Sequence, residues 1–291
     1  MFHMLTAAVV AAMALVSRAE AQTLKLAITD VEGLERLQTE WGPFKAQLEK
    51  TTGMTFVFFP VNSRTAAVEA LRAKRVDLVI TGPAEYVVIN KLTNAKPLIG
   101  LSRPDYLCAL VVRADSNISA PADLKGKKMA MDDIGSTSGH LCPSQLLADY
   151  GVNPRKDLGG VTHTSRNVAH EALKRGDVAA IGVNYGSWID NARNKDKSVT
   201  PGYFRVIARS GDLPNDVMAV GSHVDGGVAT KLRDAIMKDK AALAETIVAS
   251  GGENDKYRGM DLIAVEDAAY NKVRAMYATI GQPQFSEFVG K

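Results

Sequence analysis

The chain has 291 residues, 46% of them apolar and 23% charged, a balance that excludes a disordered polar chain and leaves room for two ordinary domains. Its formal net charge of +3 is small for this length. Lys and Arg are scattered along it rather than gathered into a stripe, which argues against nucleic acid as a partner.

Leu5 to Val16 is an almost wholly apolar run, followed by Ser17, Arg18 and the small-residue pattern Ala19-Glu20-Ala21. That is a leader of secretory length with its cleavage expected before Gln22, so residues 1–21 read as a signal peptide and the mature chain as a periplasmic protein. A membrane anchor needs roughly 20 apolar residues, more than this run offers. Short β-like runs and helical patterns then alternate: Leu24–Thr29, Leu34–Thr51, Thr55–Pro60, Thr65–Lys74 and Leu78–Thr81. This is the β-α-β-α-β order of a doubly wound sheet, which binds ligands outside the carboxyl ends of its strands. Leu107–Val112 reads as a strand leading into a polar crossing at Ala114-Asp115-Ser116-Asn117. A second β/α series follows, with strands at Met129–Met131, Val161–Thr162, Val178–Val183 and Phe204–Ala208 and helices at Ser138–Tyr150 and Val168–Arg175. A return crossing near Asp212-Leu213-Pro214 precedes helices over Val228–Ser250 and Val265–Ile280. The expected fold is α/β and two-lobed, each lobe a sheet flanked by helices. Residues 22–112 and 213–291 form a discontinuous first lobe, and 113–212 an inserted second.

The strongest local signal is Asp132-Asp133-Ile134-Gly135-Ser136-Thr137-Ser138-Gly139-His140, between a predicted strand and a helix. Consecutive hydroxyls at a helix start, with small residues on either side, make a donor-rich cradle for an anion. Ser and Thr in the same place also serve as plain N-caps, and both readings stand at this point. Asn184, at the end of the Val178–Val183 strand, is placed for a contact in the same cleft.

Gly82-Pro83-Ala84-Glu85-Tyr86-Val87, Asp123-Leu124-Lys125-Gly126-Lys127-Lys128 and Ser136-Thr137-Ser138-Gly139-His140, in this order and spacing, resemble the phosphonate-binding, PhnD-type family of periplasmic binding proteins. The resemblance implies a two-lobed fold whose cleft holds the ligand, with Ser136, Thr137, Ser138, Gly139 and His140 on one side and Tyr86 on the other. It also implies an acid near Asp216 that meets the ligand, and no cofactor or enzymatic step. Three positions depart from the family pattern: Cys108 stands where many relatives have Ser, Arg166 where they carry a ligand-binding His, and Arg64 where Tyr is common.

Cys108 moves the expected solute. A thiol in place of a hydroxyl turns part of a hard oxygen site soft, and the chain is similar in this to the periplasmic arsenite sensors of the family, which partner a membrane histidine kinase. Cys108 is therefore the expected sulfur ligand of arsenic, with arsenite as the ligand. A disulfide to Cys142 and an inert buried thiol are the other readings. The alternative to sensing is an ABC-transporter component that presents a phosphonate, phosphite or phosphate to its permease, with Arg64 and Arg166 as charge partners. A zinc site from His140, Cys142, His163 and His170 lacks ligand spacing, and a cysteine nucleophile with His140 as base lacks an oriented pair.

Overall fold

The computed structural model describes residues 23–29 and 33–284, and of Arg64 the backbone alone. The leader and its cleavage point lie outside the described residues, as does the Arg64 side chain.

The first series is β1 (Thr23–Ile28), α1 (Leu34–Thr52), β2 (Thr55–Phe58), α2 (Arg64–Arg72), β3 (Leu78–Thr81), α3 (Pro83–Thr93) and β4 (Lys96–Leu101). The second is β5 (Cys108–Arg113), β6 (Lys128–Met131), α4 (Cys142–Asp149), β7 (Gly160–His163), α5 (Arg166–Arg175), β8 (Ala180–Asn184), α6 (Tyr185–Trp188) and β9 (Phe204–Arg209). β10 (Asp216–Val220), α7 (Gly226–Lys238), α8 (Lys240–Ala249), β11 (Leu262–Ile263) and α9 (Asn271–Thr279) complete the chain. These strands form two mixed sheets, one of six strands in the order β11-β4-β10-β3-β1-β2 and one of five in the order β7-β6-β8-β5-β9. β3, β8 and β10 bury every residue, as interior strands covered on both faces do.

Leu37, Trp41, Phe44 and Leu48 recur at helical spacing along α1 and form its buried stripe. With α7, α8 and Tyr257 they cover one face of the six-stranded sheet. Ala169, Leu173 and Trp188 cover one face of the five-stranded sheet. The remaining core is shared: Val87 and Tyr86 of α3, Leu110 of β5, Leu146 of α4 and Tyr270, Val273 and Tyr277 from the last helical stretch belong to one continuous apolar cluster. α9 thus packs against elements of both halves. Its Tyr277 hydroxyl donates to the Ala84 carbonyl at 3.1 Å and its Thr279 hydroxyl to Gln145 Oε1 of α4 at 2.5 Å.

Two segments carry the chain between the sheets, one between Leu101 and Cys108 and one between Arg209 and Asp216. They run side by side, with the Leu213 amide donating to the Tyr106 carbonyl at 2.8 Å. β5 pairs antiparallel with β8 and β9 and so belongs to the five-stranded sheet, whereas the sequence assigns residues up to 112 to the first lobe. The apolar pattern of a strand states that it is buried, not in which sheet. The helix expected over Val228–Ser250 is two helices broken at Asp239, whose carboxylate accepts from Thr51 at 2.5 Å and Gln47 at 2.8 Å on α1. The helix expected from Val265 begins only at Asn271, after a 3₁₀ turn. α3, β4 and β10 are absent from the sequence expectation; α3 buries every residue from Pro83 to Ile89, so it has no polar face to reveal its period. Among the described residues, no helix is long and apolar enough to cross a membrane.

Candidate functional site

β6 ends at Met131, and the chain turns through Gly135, whose φ of +91° favours glycine. It then enters a π-helical turn, Thr137–Leu141, that runs directly into α4. This turn brings three hydroxyls together at one wall of a cleft of about 910 Å³. Each oxygen already accepts a hydrogen bond. Ser136 Oγ takes the Gly139 amide at 3.2 Å, Thr137 Oγ1 the Ala84 amide at 3.1 Å and Ser138 Oγ the Asn184 side-chain amide at 3.1 Å. Ser138 also shares a hydrogen bond with the Tyr106 phenol. Ser136 is therefore a cap as well as a wall residue, and what Ser136 and Thr137 have left to offer the cleft is the hydroxyl hydrogen.

Thr137 does more than line the cleft. Ala84 is in the first turn of α3, where amides lack intrahelical acceptors, and the α3 N-cap Gly82 supplies no side chain. Thr137, from the other sheet, caps that helix. One hydroxyl thus ties the two halves together at the cleft floor.

Six of the expected residues line the cleft: Ser136, Thr137, Ser138, Arg166, Asn184 and Asp216. Asp216 is 1% exposed, accepts from the Tyr257 hydroxyl at 2.7 Å and from Arg103 at 3.3 Å, and forms an ion pair with Lys256 at 3.4 Å. It organises cations at the wall. Asn184 holds Ser138 with its amide nitrogen and caps α6 by accepting from the Ser187 amide at 3.0 Å.

The other expected residues lie elsewhere. Cys108 is bonded to Cys142, with Cα atoms 6.1 Å apart, and both are buried. The sulfur therefore offers no thiol to arsenic or to a nucleophilic step, and no free cysteine remains. Tyr86 is fully buried, donates its hydroxyl to Asp267 at 2.7 Å and packs on Tyr270. Burial and the Asp267 carboxylate push the phenol far above its usual range. On α3 its neighbour Glu85 faces the cleft instead, one residue round the helix from the expected position. His140 points to the far side of the turn, into a separate pocket of about 300 Å³ that it shares with His163. Its Nδ1 accepts the Gly135 amide at 3.0 Å, and burial, then His163, lower it to about 4. Gly139 is needed for space, since a Cβ there would lie 2.3 Å from the Asp132 side chain.

Several wall residues escape the sequence reading: Glu85, Arg103, Tyr106, Asp132, Lys256 and Arg258. Arg103 lies 3.7 Å over the Tyr106 ring, which fixes the guanidinium beside Asp216. Burial raises Asp132 to about 6, with Arg166 acting in the opposite direction. The Ser-Thr-Ser run is visible because its members are consecutive hydroxyls, whereas these are scattered over α3, the first crossing segment, the end of β6 and the stretch after α8. The cluster of His170, Glu171 and Asp196 is already filled by Lys174 Nζ, 2.9 Å from Glu171 and 2.8 Å from Asp196, and Trp188 donates to His170 Nδ1.

Residues 26–258 match the family model described as ABC transporter, phosphonate, periplasmic substrate-binding protein. The chain is 28% identical over 274 residues to the phosphate-import protein PhnD of Mycolicibacterium smegmatis, across 87% of this chain and 84% of that protein. It is 29% identical over 161 residues to the tetrathionate sensor histidine kinase TtrS of Salmonella typhimurium, across 52% of this chain and 27% of the kinase. Among solved structures, PhnD1 of Prochlorococcus marinus in complex with methylphosphonate has a similar fold. Its TM-score is 0.66 at 19% identity, over 90% of this chain and 99% of that one.

Proposed function

Since the chain belongs to the phosphonate-binding family of ABC-transporter periplasmic substrate-binding proteins, we propose that it captures a small oxyacid in the cleft and presents the closed complex to a membrane partner. The observation that carries this reading is the state of the cradle. The oxygens of Ser136, Thr137 and Ser138 are already acceptors, so the hydroxyls of Ser136 and Thr137 face the cleft as donors, and Arg103 and Arg166 add charge beside them. Ligand oxygens satisfy both. Export by the leader at Leu5–Val16 places the protein in the periplasm. The lobes follow the sequence boundaries with Cys108–Val112 moved to the second, and contacts to a ligand from both sides bias them toward closure.

A phosphonate, phosphite or phosphate passed to an ABC permease is the first occupant, supported by the family and by the likeness to a phosphate-import protein. Arsenite reported to a sensor histidine kinase is the second, supported by the partial likeness to a sensor kinase. With Cys108 tied to Cys142, arsenite is held through its three hydroxyls rather than through sulfur. Titration calorimetry with methylphosphonate, phosphite, phosphate and arsenite, each with and without a reductant, tests both. Binding of at least one, weakened tenfold or more in Ser136→Ala/Ser138→Ala, is expected. No heat from any of the four sinks the proposal, and arsenite binding that needs reductant restores the thiol as the ligand.

A further inference from the structure

Asp132 follows β6 and Arg166 opens α5, so adjacent chain segments bring an acid and a base to the same wall of the cleft. Each carries an atom shut off from solvent with no hydrogen-bond partner, Oδ1 of Asp132 and Nε of Arg166. Buried polar atoms are almost always paired, and an unpaired one is a cost that a binding site recovers when its ligand arrives. The pairing that an opposed acid and base would otherwise make is incomplete, although their charges interact. The local backbone is built around this carboxylate. A Cβ on Gly139 would stand 2.4 Å from Asp132 Oδ2, so the glycine of the cradle keeps room for it. The neighbouring wall adds more acids than a site for a fully ionised anion would carry, among them Glu85 and Asp216.

An unmet acceptor beside an unmet donor is complementary to one group above others, a hydroxyl, which accepts through oxygen and donates through hydrogen. We infer that Asp132 and Arg166 form a specificity pair that recognises a hydroxyl on the bound oxyacid. Arg166 donates to that oxygen and Asp132 accepts its hydrogen, so the cleft prefers solutes bearing P–OH or As–OH to equally charged solutes with bare oxygens. This rests on the reading of the cleft as an oxyacid site. It also sets a rule of discrimination within that class: a site lined for a hydroxyl rejects an analogue that lacks it, because its own buried groups are then left unpaired.

Methylphosphonate and methanesulfonate provide the comparison, since at pH 7 Asp132 is mostly ionised and both solutes are largely monoanions of similar shape, of which only the first keeps a hydroxyl. Affinities for these two and for arsenite are measured by calorimetry on the wild type, Asp132→Asn, Asp132→Ala and Ser136→Ala, with melting curves confirming that each variant is folded. In the wild type, methylphosphonate or arsenite is expected to bind at least 100-fold more tightly than methanesulfonate. Asp132→Asn, which can donate to a bare oxygen, narrows that ratio at least tenfold. Asp132→Ala narrows it by weakening the hydroxyl-bearing ligand alone, and Ser136→Ala, which removes a donor to any ligand oxygen, weakens all ligands without changing the ratio. Methanesulfonate bound within tenfold of the better oxyacid by the wild type, or an unchanged ratio in both Asp132 variants, overturns the inference while leaving the capture of oxyacids standing. Failure of the wild type to bind either methylphosphonate or arsenite overturns both.

Discussion

At the scale of single residues, side chains a few positions apart in sequence go to different tasks. Tyr86 and Glu85 are neighbours on α3, yet the phenol is locked under Asp267 in the core while the carboxyl lines the cleft. Ser138 faces Asn184 whereas His140, two residues on, is turned toward His163. Asp132 pays for its position. Burial lifts its carboxyl to about 6, against about 3.9 in an unfolded chain. Between those values the folded protein keeps a proton that the unfolded chain has lost, so this group favours folding at low pH and that contribution is lost as pH rises through the window. Asp132→Asn is accordingly expected to stabilise the ligand-free protein at pH 7.5, by at most about 2–3 kcal/mol, and to leave it unchanged near pH 4. Thermal melts at the two pH values check this, and destabilisation at pH 7.5 would contradict it.

At the scale of elements, the disulfide joins the start of β5 to the first residue of α4, directly after the turn that carries the hydroxyls. On the same strand residue the Cys108 amide donates to Ser210 Oγ at 3.1 Å, so one end of the link is fixed beside the return crossing. The bridge closes a loop of 34 residues, which by the chain-entropy account stabilises the fold by about 3–4 kcal/mol. Cys108→Ser/Cys142→Ser is expected to lower the urea midpoint by a corresponding amount and to weaken oxyacid binding, because the turn loses its anchor at α4. A double variant with unchanged binding would show that packing of Leu141 and Leu146 holds the turn unaided. The pairing was one of three readings open in the sequence. Two cysteines 34 residues apart carry no statement of distance until β5 and α4 are packed together.

At the scale of the whole molecule, the halves meet through the shared apolar cluster around α9, the two crossing segments and the Thr137 cap on α3. The cap and the first crossing segment, through Arg103 and Tyr106, lie at the cleft itself. Thr137→Val keeps the side-chain shape and removes the acceptor, leaving an α3 amide without a partner at a cost of about 1 kcal/mol. A larger radius of gyration for the ligand-free protein by solution scattering is expected, along with affinity lowered about five- to tenfold. A scattering profile indistinguishable from wild type would show that the shared apolar cluster and the crossing segments hold the halves together without the cap.

The sequence by itself determined the alternation of strands and helices, the two-lobed α/β plan and the hydroxyl cradle, because these are local properties: periodicity along one segment and three consecutive residues at one turn. Tertiary structure alone decided the state of Cys108, the burial of Tyr86, the outward turn of His140 and the arrival of Arg103, Asp132 and Lys256 at the cleft. Each of those depends on which face of an element meets which neighbour, and a half-turn of helix or a strand's choice of sheet changes it without altering the local pattern.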